Sequence, residues 1–138
     1  MKIAVVVNCL KIGGMERVAV NLSDALFEAG NDVELIYLKD RKREVEPRNK
    51  AVPIHAFNLR TSALKTGIGI VWFILSKILN QLSPKTYPIW FAYLEAQVFK
   101  HKLSVLEKQK GRFDLIIFRG QGTFEHLWPL HDDRFVYV

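Results

Sequence analysis

The chain has 138 residues, 49% of them hydrophobic and 25% charged, which suffices for one domain with a buried core but not comfortably for two. Its single cysteine, Cys9, excludes an internal disulfide and any metal site built from several cysteines. The net charge of +6 and the pI of about 9.6 favour an anionic partner, which could be a phosphorylated ligand, a lipid surface or a nucleic acid.

The first 38 residues have the pattern of a strand, a helix and a second strand. Residues 2–8 are a continuous Val/Ile run, typical of a strand covered on both faces, and residues 32–38 are predicted to be a second strand. Residues 15–29 have helical spacing, and Gly30 stands where a helix cap is expected. This unit predicts a right-handed βαβ crossover. The predicted apolar face of the helix is Val18, Leu22, Ala25, Leu26 and Ala29, and the predicted polar face is Arg17, Asn21, Asp24 and Glu28.

Three further strands are predicted at residues 52–58, 113–120 and 134–138, and residues 39–50 are predicted to be a solvated, charged connection. Together these elements predict an α/β fold, an open parallel Rossmann-like sheet with strand order 3-2-1-4-5 and helices on both faces. We expect residues 1–138 to be a single domain, truncated in or just after strand five. A domain rarely ends inside a central strand that has no helix to cover it.

Residues 61–111 form a helical insert between strands three and four. Its uncharged run between Lys65 and Lys77 is 11 residues, shorter than the roughly 20 that a transmembrane helix needs. Either two long helices cover one side of the sheet, or the insert docks on an anionic membrane surface, with aromatic rings and lysines at the headgroups. The helical apolar stripe is Leu64, Ile68, Val71, Leu75, Ile78 and Leu82. The membrane-facing candidates are Trp72, Phe73, Trp90, Phe91, Lys100 and Lys102.

Gly13 and Gly14 lie between the first strand and the helix, where backbone N–H groups and the helix dipole favour an anion. The pattern is neither GxGxxG nor a P-loop. Asp40 lies near the end of strand two, where a ribose-binding acid would stand, but Lys39 and Arg41 flank it, and both observations disfavour binding of NAD. Alternatively, the two glycines only make a tight turn. In the first helical turn, Glu16 suits the dipole, whereas Arg17 opposes it and is a candidate to hold a phosphate or carboxylate.

The carboxyl ends of strands one and four should flank a ligand crevice. We therefore expect Asn8, Gly13, Gly14, Arg119 and Gly120 to line it, with His126 as a further candidate. The four histidines show no metal-ligand spacing, so no metal site is expected. The basic residues do not gather on one recognition helix, which argues against nucleic acid.

Residues 1–38 resemble the start of family 4 glycosyltransferases of the GT-B type. The resemblance rests on a strand followed by Gly13-Gly14-Met15-Glu16-Arg17 and then by the helix and second strand, and residues 113–122 and 134–138 loosely resemble the fourth and fifth strands. It implies the acceptor-binding domain of a retaining enzyme, which moves a sugar from a nucleotide-sugar to a lipid-linked saccharide or lipopolysaccharide-type acceptor. It also implies no metal, and a place for Gly13-Gly14 near the donor diphosphate or an acceptor phosphate.

The resemblance has departures. Arg119 and Gly120 stand where many members carry His-x-Gly-like residues, and a histidine often found past strand five would lie beyond Val138. The donor-binding second domain is not in the 138 residues, so we expect this chain alone to be inactive, and the catalytic residues stay unknown. The expected location is the cytoplasmic face of the membrane, as a peripheral protein. The alternatives are a non-enzymatic α/β module that binds a phosphorylated ligand or a protein partner, and another Rossmann-type enzyme.

Overall fold

The computed structural model of the chain describes residues 1–39, 42–65, 67–83, 87–120, 123 and 127–138, and for residues 87–90 the backbone alone. Within these residues the strands are β1 (Lys2–Val7), β2 (Asp32–Tyr37), β3 (Ile54–Ala56), β4 (Leu115–Arg119) and β5 (Phe135–Tyr137). The helices are α1 (Gly14–Glu28), α2 (Leu59–Lys65), α3 (Gly67–Leu82) and α4 (Tyr87–Lys110).

The five strands form one sheet in the order β3-β2-β1-β4-β5, and every neighbouring pair is parallel. This confirms the predicted fold class and strand order. In the register of the sheet, Val7 at the end of β1 is paired with both Tyr37 of β2 and Arg119 of β4. The carboxyl ends of the three central strands therefore lie at one level, on one edge of the sheet.

Helices cover both faces of the sheet, as predicted. Side chains alternate between the faces along each strand. On one face, Val5 and Leu35 pack against Ala19 and Val20 of α1. On the other face the core includes α4, with members Ala4, Val6, Ile36, Phe99, Leu103, Phe113 and Phe118. Because both faces are buried, the central strands read as continuous apolar runs rather than alternating ones.

The buried face of α1 differs from the predicted one. Val18 is 43% exposed, and Ala25 and Ala29 are exposed, although Leu22 and Leu26 are partly buried as predicted. The buried residues are Ala19, Val20, Ser23 and Asp24, so Asp24 lies on the opposite face from the one predicted. The prediction failed because it assumed that an acidic side chain faces solvent.

Asp24 is buried because the connection between β2 and β3 folds back over α1. Its two carboxylate oxygens accept hydrogen bonds from the backbone N–H groups of Arg48 and Asn49, each at 3.0 Å. The N–H groups of Glu44 and Val45 both donate to the carbonyl of Leu10, at 2.7 and 3.1 Å. The described part of this connection is therefore anchored to the domain through Asp24 and Leu10, while most of its residues are exposed, as the prediction of a solvated connection expects.

A second buried carboxylate, Glu34, lies within the sheet. His55 Nε2 lies 2.5 Å from its Oε2, and Lys2 Nζ lies 3.5 Å from its Oε1. Burial opposes the charge of Lys2, but hydrogen bonds and ion pairs with Asp32 and Glu34 outweigh it and raise the pKa of Lys2. His55 therefore has a structural role, because it pairs with the buried carboxylate of Glu34.

The insert contains three described helices instead of the two predicted. Helix α4 has 24 residues and is about 36 Å long, whereas the six-residue strands span about 20 Å. Its carboxyl-terminal half covers the sheet and leads to β4, so its amino-terminal half extends past the carboxyl edge of the sheet. Helices α2 and α3 pack on that half, where Phe91 contacts Phe73 at a ring distance of 5.9 Å and Arg60 at 6.0 Å.

Candidate functional site

The candidate site lies where β1 and β4 are neighbours in the sheet. The chain leaves β1 through α1 on one face of the sheet and reaches β4 through α4 on the other face. The connections therefore diverge at this point, and a ligand crevice is expected beyond the carboxyl ends of these strands, as in other open α/β sheets. Asn8 directly follows β1, and Arg119 ends β4.

Asn8 and Arg119 each bring a buried polar atom to this edge that has no hydrogen-bond partner among the described residues. The atoms are the side-chain oxygen Oδ1 of Asn8, which accepts, and the guanidinium nitrogen Nε of Arg119, which donates. Most buried polar atoms in proteins have a partner, so each such exception needs an explanation. A ligand that offers both a donor and an acceptor would explain this pair.

Asn58 is a third residue of the same kind, which the sequence analysis missed. It follows β3 at the same edge of the sheet, its Oδ1 is buried without a partner among the described residues, and its φ is +48°. Its position before α2 resembles that of a helix cap, yet its backbone carbonyl, not its side chain, bonds Ser62. The sequence signal was available, since Asn58 ends the predicted third strand as Asn8 ends the first.

Gly13 and Gly14 lie at the start of α1, as predicted, but they are not equivalent. Gly13 is the residue before the first turn, and the helix has no side-chain cap there. The Glu16 carboxylate folds back into the space that a Cβ on residue 13 would need, whereas the same position on Gly14 has no atom within 4 Å. The positive end of the helix therefore already faces one carboxylate at Gly13, and the space beside Gly14 is open.

Cys9 contacts Glu16 from the other side. Its thiol donates to Glu16 Oε1 at a distance of 3.6 Å, and the cysteine is buried. Cys9 is thus a small buried side chain packed at the end of β1. The contact orients the carboxylate that lies over Gly13, so Glu16 acts as part of the helix start.

Gly120 brings the end of β4 against the start of α1. Its φ of +91° is a conformation that favours glycine, and the position of a Cβ there lies 3.7 Å from Met15 Cε. Its carbonyl accepts hydrogen bonds from the backbone N–H and the hydroxyl of Thr123, at 3.1 and 2.7 Å. Gly120 therefore lies beside the first turn of α1, and whether it lines a ligand crevice stays a prediction.

Arg17 is not grouped with Asn8 and Arg119. It is exposed and lines a separate cleft of about 380 Å³ between α1 and the connection after β2. Glu44, Glu46 and Arg48 line the same cleft, and Glu44 also accepts a hydrogen bond from the backbone of Ile12. With acids and bases mixed in this cleft, Arg17 has no clear anion-binding geometry.

The membrane-facing candidates separate into different environments. Phe91 is buried at 4% exposure beneath α2 and α3, so its prediction as a membrane-facing residue was wrong, because the helices of the insert pack on it. Trp72 and Phe73 are half-buried, and the side chain of Trp90 lies outside the described residues. Burial and the charge of Lys65 lower the pKa of Lys102, which is half-buried.

Lys100 is exposed and lines a cleft of about 440 Å³ between α4 and the segment before β5. Beside this cleft, Arg134 donates to Asp132 through Nε and Nη2 at 3.0 and 2.9 Å, and through Nη1 to Glu107 and to the carbonyl of Phe113. The hydrogen bond from Arg134 lowers the pKa of Asp132 to about 2. These hydrogen bonds hold the start of β5 against α4, so Arg134 has a structural role.

His126 and Asp40 lie outside the described residues. Among the residues that the structure does describe, no group of three or more histidine, cysteine, aspartate and glutamate side chains could hold a metal ion.

A scan against protein-family models, a search of curated proteins and a search of solved structures each found no match to this chain. The class of protein is therefore defined by the geometry alone. The chain is a Rossmann-like α/β domain with an open, all-parallel sheet and a helical insert beyond its carboxyl edge.

Proposed function

We propose that the chain is the acceptor-binding domain of a retaining glycosyltransferase, which transfers a sugar from a nucleotide-sugar to a lipid-linked saccharide or lipopolysaccharide-type acceptor. The observation that carries the proposal is the pair of buried, unpartnered atoms at the switch point, Asn8 Oδ1 and Arg119 Nε. Leaving a buried polar group unpaired costs about 1–3 kcal/mol. A ligand that pairs both atoms recovers this free energy, which favours its binding.

The chemistry of the two atoms fits a phosphorylated sugar. The Asn8 oxygen needs a donor, which a sugar hydroxyl provides, and the Arg119 nitrogen needs an acceptor, which a phosphate or a hydroxyl oxygen provides. The open backbone at Gly14 offers N–H groups at a helix start for the same phosphate. The resemblance of residues 1–38 to family 4 glycosyltransferases supports the choice of sugar transfer over other uses of such a crevice.

In the proposed enzyme, these residues bind and orient the acceptor, while a second domain holds most of the nucleotide-sugar, as the resemblance implies. Glu16 lies closest to the open backbone of the helix start. We expect its carboxylate to move aside when a phosphate binds, since two anions at one helix start repel each other. The non-enzymatic alternative, a module that holds a phosphorylated ligand without transfer, uses the same crevice.

The test is an NMR titration of the ¹⁵N-labelled chain with inorganic phosphate, glucose 1-phosphate, UDP and UDP-glucose. At least one sugar-containing probe should shift the backbone signals of Asn8, Gly14 and Gly120 and the Nε–H signal of Arg119. Arg119→Gln should weaken that binding about tenfold, the value of one charge-assisted hydrogen bond. Arg112→Gln, which changes an exposed arginine, is the matched control and should bind as the unaltered chain does.

The proposal fails if no probe shifts these signals, or if Arg119→Gln and Arg112→Gln bind equally well. Binding of phosphate alone, with no preference for a sugar, would favour the non-enzymatic module. We further expect no turnover by the 138-residue chain with any nucleotide-sugar, and product formed by the pure chain would contradict its role as an acceptor domain that needs a second domain.

A further inference from the structure

Helix α3 exposes an entire apolar side to solvent. Its 16 residues carry one charge, that of Lys77. By helical spacing, one half of α3 holds the buried Gly69 and Ser76 and the half-buried Trp72 and Phe73, and this half faces the rest of the insert. The other half holds eight large apolar side chains that are 37% to 80% exposed, namely Ile68, Ile70, Val71, Ile74, Leu75, Ile78, Leu79 and Leu82. We call these eight residues the outer face of α3.

An apolar surface of this extent on a domain marks an interaction site. Burying one such side chain fully contributes about 1.5–3 kcal/mol of favourable free energy. Removal of all eight side chains from water is therefore strongly favourable. The predicted stripe of the insert included Ile68, Val71, Leu75, Ile78 and Leu82, and the structure places all five on the outer face. They are thus not core residues of this domain.

The charges of α2 and α3 have a single sign. The two helices hold three cations, Arg60 and Lys65 of α2 and Lys77 of α3, and no aspartate or glutamate. The charge of Lys65 also contributes to the lowered pKa of Lys102 on α4, so cations oppose one another here. Such a surface is complementary to an anionic one.

The outer face lies at the same end of the domain as the crevice. Helix α2 begins directly beyond the carboxyl end of β3, where the N–H of Leu59 donates to the carbonyl of Leu38 at 3.0 Å. Helix α3 follows α2 and packs on the part of α4 that extends past the sheet. A flat surface in contact with α3 would therefore lie near the edge that carries Asn8 and Arg119.

We propose that the outer face of α3 docks into the interfacial layer of an anionic lipid bilayer, with α3 lying in the plane of the membrane. Amphipathic helices that combine a wide apolar side with cations bind bilayers in this way. This proposal does not rest on the proposed function. Compared with the membrane-facing residues expected from the sequence, the inserted side chains are those of the outer face and not Trp72 and Phe73 on the inner half of α3. Phe91 of α4 is buried beneath α3.

Two other occupants fit the observations less well. A second copy of the chain on the outer face would bring the cations of α2 and α3 close to those of its partner, and like charges across an interface are unfavourable. A spanning segment would need more length, since α3 is about 24 Å long against a hydrocarbon core of about 30 Å. Among the described residues, no single helix is long and apolar enough to cross a membrane. Helices α2 and α3 are long and apolar enough as a pair, but they are bent by 106° relative to each other.

The test is co-sedimentation of the chain with vesicles of phosphatidylcholine alone and of phosphatidylcholine with phosphatidylglycerol. We expect binding to the anionic vesicles and much weaker binding to the neutral ones. Ile74→Ser and Ile78→Ser should each lower the partition coefficient about fivefold. Val18→Ser on α1 and Val105→Ser on α4 are matched controls, since these valines are similarly exposed but lie elsewhere, and both should bind like the unaltered chain.

The charge contribution is tested with Lys65→Gln beside the outer face and Lys108→Gln at the far end of α4. A lysine close to an anionic surface contributes about fivefold to binding, so Lys65→Gln should show that loss and Lys108→Gln should not. All substituted side chains are exposed, so the variants should unfold at the same temperature as the unaltered chain, which excludes misfolding as the cause.

Several results would overturn the proposal. These are no binding to the anionic vesicles, equal binding to both vesicle types, or equal losses in the α3 variants and their controls. A dimer in sedimentation equilibrium that Ile74→Ser dissociates would make a second copy the occupant. Loss of vesicle binding in Arg119→Gln would show that the crevice binds the headgroup instead. Because the α3 variants should still bind the soluble sugar probes, failure here and failure of the proposed function are distinguishable.

Discussion

Replacement of Asp24 by alanine tests the anchoring of the connection after β2. Asp24 is 0% exposed, and its carboxylate accepts two hydrogen bonds of 3.0 Å from the backbone of Arg48 and Asn49. The Arg48 side chain lies 3.9 Å away and is exposed, so its charge adds little. Nearly all of the effect of Asp24→Ala should therefore come from the two hydrogen bonds.

The expected loss of stability is about 3 kcal/mol. A hydrogen bond to a charged group contributes about 1.5–3 kcal/mol. Two bonds set an upper bound of about 6 kcal/mol, and water reaching the backbone of the exposed loop recovers about half of it. Asp24→Asn keeps one accepting oxygen but turns an amide donor toward the other N–H, so it should lose about as much as Asp24→Ala.

The assay is equilibrium unfolding in urea, with Glu28→Ala as the matched control. Glu28 lies on the same helix and also 3.9 Å from the Arg48 side chain, but it is 63% exposed. Its loss should change stability by less than about 0.5 kcal/mol. Equal effects of Asp24→Ala and Glu28→Ala would refute the reasoning, because they would show that the backbone hydrogen bonds of Asp24 do not anchor the loop.

Two further predictions concern single positions. Gly120→Ala should destabilise the chain by about 1–2 kcal/mol, because φ at this residue is +91°. Gly14→Ala should change stability by less than about 0.5 kcal/mol, because the space around this glycine is open. Urea unfolding that ranks the two substitutions the other way would contradict this prediction. The hydrogen bond from Arg134 lowers the pKa of Asp132 from its ordinary value of 3.8 to about 2. The carboxylate therefore stabilises the folded chain above pH 3.8, and this contribution is lost as the pH falls through about 2. Asp132→Asn should flatten the thermal stability over that pH range, and the same flattening in Asp133→Asn would disprove the assignment.

The sequence predicted the sheet well because the relevant signals are local. The Val/Ile run of β1 reflects burial on both faces, and the short connections of the βαβ unit allow few topologies. Helical spacing also placed α1 within one residue of its observed ends, and Gly30 follows it with a φ of +92°. None of these features depends on knowing a partner that is distant in sequence.

The site was predicted in outline only. A turn glycine and a polar residue after each strand pointed to Asn8, Gly14, Arg119 and Gly120. The sequence did not reveal that Glu16 already lies over Gly13, or that Arg17 faces a cleft with Glu44. Both depend on side-chain directions, which helical spacing does not determine.

By itself, the sequence determined the class of fold and the strand order, because hydrophobic periodicity and chain connectivity encode them. Tertiary structure decided which polar and apolar side chains are buried. Asp24 is buried because a loop 24 residues away supplies its donors, and the apolar side of α3 is exposed because α4 is covered by the opposite side. Burial depends on contacts between distant parts of the chain, and no local pattern records those contacts.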